Sequence, residues 1–145
     1  MKIYLGTDHA GFELKEAIKS FLEEKGHDVD DKGAHWYDGE DDYPDFIRPT
    51  AEAVAADNDS RGIIFGGSGQ GEAMCANRVK GVRAVVFYGG PQEIVKLSRQ
   101  HNNANILSLG ARFISEDEAL EVVELWLGTT FECERHRRRI EKLDN

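Results

Sequence analysis

The sequence has too few cysteines for a disulfide framework, and it contains no long hydrophobic run. Only Cys75 and Cys133 occur among its 145 residues. Two scattered cysteines and no apolar leader segment are typical of a chain that stays in a reducing cytoplasm. No apolar stretch approaches the roughly 20 residues that a membrane-spanning helix needs. We therefore predict a cytoplasmic protein that has no membrane partner.

Positive charge and metal-ligand spacing are also scarce. The chain has 18 Lys and Arg residues against 27 Asp and Glu residues, which gives a formal net charge of -9. This balance argues against a nucleic-acid partner, which would favour a basic surface. An anionic ligand must therefore be held by local positive groups. We predict no metal site, because no metal-ligand spacing relates the cysteines to the five histidines: His9, His27, His35, His101 and His136.

Short apolar runs alternate with segments of helical spacing. Phe12, Leu14, Ile18 and Leu22 recur at helical intervals, whereas residues 63–65 form an apolar run of strand type. Such alternation indicates a parallel sheet covered on both faces. We predict one α/β domain over residues 1–145, a three-layer Rossmann-like fold with a five-stranded parallel sheet and helices on both faces. The predicted strands are 3–6, 27–31 (the weakest), 63–65, 82–87 and 105–110, and the predicted helices are 12–25, 42–56, 73–79, 91–102, 115–128 and 131–143.

The chain is organised around a glycine loop, Gly66-Gly67-Ser68-Gly69-Gln70-Gly71-Glu72, between a predicted strand and a predicted helix. Glycines allow a close approach of the backbone to a ligand, and the first N–H groups of the helix have no partner within it. We expect this loop to hold a negatively charged group or transition state.

Glu72 distinguishes this loop from nucleotide-binding loops. It stands where a Walker-type loop has lysine, and also where the dinucleotide fingerprint has its third glycine. A nucleotide is therefore not the favoured ligand. Glu72 is either a solvated first-turn glutamate that favours the helix dipole or a catalytic carboxylate. The helix N-terminus should lower its pKa, whereas apolar burial would raise it.

Several polar side chains follow the predicted strands, at the edge where ligands bind in parallel sheets. Asp8 and His9 follow the first strand, Glu72 follows the third and Arg112 follows the fifth. Asp8 and His9 could transfer protons or bind sugar hydroxyls. Alternatively, Asp8 caps the following helix and His9 has no role.

Other candidates belong to the far end of the sheet. His101 and Asn102 end the helix before the last strand, so a site that combines them with Glu72 would need a second subunit. His101 could shuttle a proton or could simply end a helix. Arg135 and Arg139 are four residues apart on one predicted helix face, which suits a phosphate, although charged runs are commonly solvated.

Seven motifs follow one another along nearly the whole chain: Gly6-Thr7-Asp8-His9-Ala10-Gly11-Phe12, Asp42-Tyr43-Pro44, the glycine loop, Ala76-Asn77-Arg78, Ser98-Arg99-Gln100-His101-Asn102-Asn103, Gly110-Ala111-Arg112 and Arg135-His136. In this order they resemble the type B ribose-5-phosphate isomerases, a family shared with the galactose-6-phosphate isomerase subunits. Together the seven are far more specific than any one alone.

The resemblance implies reversible conversion of ribose 5-phosphate to ribulose 5-phosphate in the pentose phosphate pathway. The reaction would pass through an enediolate without a metal or cofactor. The family's base is often a cysteine at the position of Gly66, which Cys75 does not match. A second group uses a glutamate at the end of the glycine loop, and Glu72 fits that pattern. The resemblance also implies a homodimer or homotetramer with shared active sites, and contact of the 131–143 helix with a partner subunit.

The same resemblance assigns roles to individual residues. Ser68 would assist proton transfer, and His101 would open the furanose ring with help from Asp8. Three arginines would hold the phosphate close to His9: Arg112, Arg135 and Arg139. The remaining substrate-binding positions would be Tyr43, Gly67, Gly69, Gln70, Gly71 and Asn102.

Two alternatives remain open. The protein could isomerise a six-carbon sugar phosphate, such as allose or galactose 6-phosphate, with residues 38–43 and 88–91 setting the depth of the pocket. It could instead be a sugar-phosphate-binding protein that lost its base at Gly66 and no longer catalyses a reaction.

Overall fold

Five parallel strands form one sheet in the computed structural model, which describes all 145 residues. The strand order is β2-β1-β3-β5-β4, so the predicted five-stranded parallel sheet is confirmed. The strands are β1 Lys2–Thr7, β2 Asp28–Asp31, β3 Arg61–Gly66, β4 Ala84–Phe87 and β5 Ile106–Gly110. The α-helices are α1 Phe12–Glu24, α2 Pro44–Ala56, α3 Gln70–Ala76, α4 Glu93–Gln100, α5 Glu116–Gly128 and α6 Glu134–Ile140, and a short 3-10 helix spans His9–Gly11.

Helices cover both faces of the sheet, as predicted. Ile63 and Phe65 of β3 point into a cluster with side chains of α1, α4 and α5, including the fully buried Trp126. Ile64 points the other way, into a second cluster with side chains of α2 and α3. Both faces of β3 are therefore apolar, as parallel strands require. No helix has the length and apolar character needed to cross a membrane.

The differences from the predicted elements lie at their ends. The last helix is α6, Glu134–Ile140, rather than 131–143, because it buries no side chain and has no side-chain cap at its start. Strand β4 begins at Ala84 rather than residue 82, since Val82 N–H is taken up in a turn with Val79. The weak candidate around residues 27–31 is a real strand, β2. Its charged residues are tolerated because it is an edge strand.

The topology brings three strand ends together. Strand β1 pairs with β3 from Ile3↔Arg61 to Thr7↔Phe65, and β3 pairs with β5 up to Gly66↔Gly110. Strand β2 lies on the outer side of β1, whereas β5 and β4 lie on the outer side of β3. The connections therefore leave the β1–β3 pair in opposite directions. Such a switch point leaves a crevice beyond the carboxyl ends of the strands. The residues that follow β1, β3 and β5 are therefore neighbours.

Candidate active site at the carboxyl edge of the sheet

The glycine loop turns sharply from β3 into α3. Gly69 precedes α3 with φ at 80°, a left-handed conformation that favours glycine. The hydroxyl of Ser108 on β5 donates to the Gly69 carbonyl over 2.6 Å, which fixes the turn to the sheet. The Ser68 hydroxyl accepts a hydrogen bond from Gln70 N–H at 3.3 Å. The ring of Tyr43, at the start of α2, lies against Gly71.

Glu72 is buried, with only 4% of its surface exposed. Its carboxyl group packs directly on Gly66, where a Cβ atom would overlap it. The side chain therefore turns back toward the end of β3 rather than out to solvent, and the solvated alternative is wrong. A side chain at position 66 and the carboxyl of Glu72 would compete for one space.

The surroundings of Glu72 settle the direction of its pKa. Burial raises the pKa and the negative charge of Asp8 raises it further, while a hydrogen bond from its own backbone N–H opposes both. Burial thus outweighs this backbone hydrogen bond. Glu72 takes part in none of the salt bridges of the molecule. It is a buried carboxyl group without a cationic partner, which is common at functional sites.

Asp8 and His9 lie beside this group at the end of β1. Asp8 is 7% exposed and accepts a hydrogen bond from Ala10 N–H at 2.9 Å. It therefore caps the short 3-10 helix, whereas α1 itself begins after Gly11 without a side-chain cap. His9 bonds through its ring Nδ1 to Oδ1 of Asp41 at 2.7 Å. No motif or spacing in the sequence distinguishes Asp41 from its acidic neighbours. It belongs to an acidic loop, and only folding brings it to His9.

Arg112 completes the group that one chain assembles. Its backbone N–H donates to the Gly67 carbonyl at 3.1 Å, and its guanidinium group lies against Gly67. The positive charge of Arg112 is close enough to lower the pKa of His9. The structure therefore brings together Asp8, His9, Glu72 and Arg112 at the glycine loop, as expected for residues that follow neighbouring strands.

The structure does not bring His101 and Asn102 to this group. Asn102 lines cavities at the opposite edge of the sheet, beside Ala84 at the start of β4. His101 stacks on His136 of α6 with ring centroids 4.3 Å apart, and Glu132 N–H donates to the Gln100 carbonyl at 2.9 Å. The predicted separation of His101 from Glu72 within one chain is therefore confirmed.

The C-terminal segment carries the remaining candidates. Arg135 and Arg139 are exposed on α6 and form no salt bridge. The pKa of His136 is lowered by partial burial and by the nearby charges of His101, Arg135 and Arg139. Positive groups thus gather at this end of the chain, away from Glu72.

Folding also creates two groups of potential metal ligands that spacing along the chain does not reveal. One is His101, Glu132 and His136, and the other is Asp8, His9 and Asp41. In the second group, Asp8 caps the 3-10 helix and His9 is hydrogen bonded to Asp41. Hydrogen bonds within the protein therefore explain why these three side chains lie close together.

Comparison with known proteins identifies the family. Residues 3–143 match the family model described as Ribose/Galactose Isomerase. The chain is 45% identical to ribose-5-phosphate isomerase B of Mycolicibacterium paratuberculosis, over 99% of this chain and 89% of that protein. It is 40% identical to ribose-5-phosphate isomerase B of Escherichia coli, over 98% and 93%.

Solved structures agree with the sequence matches. Ribose-5-phosphate isomerase B from Mycoplasma genitalium with bound ribulose-5-phosphate has a TM-score of 0.93 and 40% identity, over 98% of this chain and 93% of that chain. The enzyme from Clostridium thermocellum has a TM-score of 0.93 and 43% identity, over 99% and 95%. The fold, the ordered motifs and these matches lead to one conclusion: the chain belongs to the ribose/galactose isomerase family.

Proposed function

We propose that the protein is an aldose–ketose isomerase that interconverts ribose 5-phosphate and ribulose 5-phosphate, with Glu72 as the base. The observation that carries this proposal is the Glu72 carboxyl group, which is buried without a cationic partner against Gly66. Relatives named ribose-5-phosphate isomerase B support the substrate, as does the neighbouring structure with bound ribulose-5-phosphate.

The chemistry requires a base beside the sugar carbonyl. In the open-chain aldose, Glu72 removes the proton from C2, and the electron pair moves into a C1–C2 double bond as charge develops on the C1 oxygen. The proton then returns to C1, while another proton passes from the C2 oxygen to the C1 oxygen. A carboxyl group with a raised pKa is a stronger base than an exposed one and suits this step near neutral pH.

The glycine loop would stabilise the charge on oxygen. Preorganised N–H donors aimed at a developing oxyanion contribute strongly to such reactions. The Gly69 turn is fixed by Ser108, so the backbone donors of the loop need little reorganisation. We assign the Ser68 hydroxyl to the transfer between the two oxygens. Substrate contacts come from the loop positions Gly67, Gly69, Gln70 and Gly71, and from Tyr43 beside them.

The phosphate would bind between two subunits. Arg112 and His9 would hold it from one chain, and Arg135 and Arg139 from the partner. Guanidinium groups pair with phosphate oxygens in a fixed geometry, which positions the distant reacting carbon. Within one chain, the pair of Arg112 and His9 lies far from the pair of Arg135 and Arg139. We therefore propose a homodimer or homotetramer in which α6 contacts the partner subunit.

The ring-opening groups would be divided in the same way. His101 and Asn102 of the partner would act on the furanose together with Asp8. We further propose that the reaction needs no metal or cofactor and takes place in the cytoplasm, where the free thiols of Cys75 and Cys133 remain reduced.

The test is turnover of ribose 5-phosphate by the wild-type protein and by Glu72→Gln, in the presence of a chelator. We expect activity in the wild type and a loss of about 10²–10⁴-fold in kcat for Glu72→Gln, with substrate binding retained. Glu93→Gln is the matched control, since Glu93 is an exposed glutamate in the first turn of α4. It should behave as wild type.

Other results would overturn parts of the proposal. Equal turnover by wild type and Glu72→Gln would show that another group takes the proton. Turnover only of allose or galactose 6-phosphate would change the substrate, and binding without turnover would indicate a non-catalytic protein. Mixing inactive Glu72→Gln with inactive His101→Asn should restore activity through mixed dimers if the sites are shared, and should restore none if they are not.

A further inference from the structure

A single carboxylate oxygen of Asp41 fixes both the backbone and the ring of His9. Oδ1 of Asp41 accepts a hydrogen bond from His9 N–H at 3.0 Å. The same atom lies 2.7 Å from the ring nitrogen Nδ1. These two hydrogen bonds to one acceptor fix the position of the His9 backbone and the orientation of its imidazole.

The Asp41 side chain is largely buried, and its charge has no other ionic partner. Its exposed fraction is 9%, and its only salt bridge is to His9. The second oxygen, Oδ2, is fully buried without a hydrogen-bond partner in the protein. A buried carboxylate is costly unless a donor or a cation compensates it. A proton on Nδ1 of His9 would compensate this carboxylate, and Nε2 would then be left for a ligand.

The loop that carries Asp41 is anchored to the core. The buried ammonium group of Lys15 donates to the Ala34 carbonyl at 2.6 Å, and Ala34 N–H donates to Thr7 at the end of β1. Asp41 N–H closes a turn with the Asp38 carbonyl at 3.1 Å. The position of Asp41 is thus fixed by the bonds of Ala34, which precedes the loop, and by the turn with Asp38 inside it. A flexible surface carboxylate has neither constraint.

We propose that Asp41 is a positioning residue of the phosphate site: it holds the His9 imidazole as a cation, with Nε2–H free to donate to the phosphate that Arg112 also binds. This inference rests on the proposed function, which supplies the sugar phosphate. Asp41 does not touch the reacting atoms, and it acts only through His9.

The charges around His9 make Asp41 decisive. The hydrogen bond to Asp41 is the main influence that raises the pKa of His9, and the charges of Asp8 and Asp41 add to it. Partial burial and the positive charge of Arg112 lower the same pKa. Without the Asp41 carboxylate, Asp8 alone would oppose Arg112 and burial. His9 would then lose its proton at a lower pH.

The experiment compares Asp41→Asn with Asp42→Asn, which makes the same change at the adjacent exposed position of the loop. Nuclear magnetic resonance follows the His9 imidazole, and calorimetry measures the binding of inorganic phosphate. In Asp41→Asn we expect His9 to titrate at a lower pH than in wild type. Phosphate should bind about tenfold more weakly above neutral pH, with a smaller loss under mildly acidic conditions. Asp42→Asn should match wild type in both measurements.

A double variant separates positioning from a general structural role. If Asp41 acts through His9, His9→Gln/Asp41→Asn should bind phosphate as His9→Gln does. An equal loss in the His9→Gln background would overturn the proposal, as would identical titrations of Asp41→Asn and Asp42→Asn. Should Asp41→Asn fail to fold, nitrogen chemical shifts of neutral His9 in wild type decide: a proton on Nδ1 supports the proposal, and one on Nε2 contradicts it. None of these measurements uses turnover, so failure of the isomerase proposal remains distinguishable.

Discussion

Two buried carboxylates at the carboxyl edge of the sheet have opposite environments. Asp31 ends β2, and its side chain is 7% exposed. It accepts hydrogen bonds from Lys15 at 2.6 Å and from Gly33 N–H at 2.9 Å. Although burial raises its pKa, these bonds and the charges of Lys15 and Lys19 lower it overall. Glu72 is buried to a similar degree, yet it has no cation beside it and its pKa is raised.

Burial alone therefore does not mark a functional carboxylate. The ion pair of Asp31 with Lys15 ties α1 to the end of β2, so the charge of Asp31 stabilises the fold. The charge of Glu72 serves no partner within the chain, and it lowers stability at neutral pH. A group that is costly to the fold and faces a glycine loop is the better candidate for chemistry.

The largest expected effect comes from breaking the Asp31 pair. Lys15→Met should lower the free energy of unfolding by about 3–5 kcal/mol, because it leaves a buried carboxylate without its main cation. The kcat of the folded protein should change less than about threefold, since Lys15 does not touch the glycine loop. KM should rise, because Lys15 also holds the Ala34 carbonyl and with it the loop that carries Asp41. Urea unfolding measures the change in stability, and steady-state kinetics measure kcat and KM.

Lys19→Met is the matched control for Lys15→Met. Lys19 also faces Asp31, at 3.4 Å, but its side chain is 32% exposed. Its replacement should cost no more than about 1 kcal/mol. Equal losses in the two variants would contradict the view that the buried Lys15 carries the pair.

A smaller effect, on activity rather than stability, is expected from Gly66→Ala. The added Cβ would overlap the Glu72 carboxyl and displace it, so kcat should fall by about 10- to 100-fold. Gly62→Ala on the same strand is the control, because the nearest atoms to its Cβ would belong to the side chains of Val54 and Ile106. It should lose stability and keep kcat.

A double variant checks the reason for the loss in Gly66→Ala. In a Glu72→Gln background the same alanine should reduce kcat much less, because the base is already gone. An undiminished loss in that background would mean that position 66 acts on the reaction independently of Glu72.

The sequence was sufficient for the parts of the fold that depend on apolar pattern. Strands β1, β3 and β5 are apolar runs, and their parallel order implied that Asp8, Glu72 and Arg112 would meet. The same topology predicted the separation of His101. Strand β2 was the weakest prediction because its four residues include three aspartates, and only pairing with β1 at an edge holds it in the sheet.

Long-range contacts limited the prediction of the site. Asp41 resembles its acidic neighbours in sequence, and its bond to His9 spans 32 residues. The direction in which the pKa of Glu72 shifts depends on whether burial, which raises it, outweighs the helix terminus, which lowers it. The extent of burial is known only after folding. The overlap of Glu72 with Gly66 likewise depends on a side-chain direction that periodicity does not give.

The smallest expected effect concerns the pH dependence of stability. The contributions of Glu72 and Asp31 to it should have opposite signs. The folded pKa of Glu72 is raised above its ordinary 4.5, so its charge destabilises the folded state at neutral pH. Glu72→Gln should therefore be more stable than wild type at about pH 7. The difference should shrink as the pH falls through the raised pKa, because the wild-type carboxyl then takes up a proton in the folded state.

Asp31 should show the reverse. Its folded pKa is lowered below its ordinary 3.8, so its charge stabilises the folded state wherever it is ionised. Asp31→Asn should be less stable than wild type at about pH 7, and the deficit should disappear only as the pH falls below 3.8 and through the lowered pKa. Urea unfolding of both variants from neutral to acidic pH measures the two differences. Opposite signs are expected because Lys15 faces one carboxylate and no cation faces the other; equal signs would show that the two environments are not distinct.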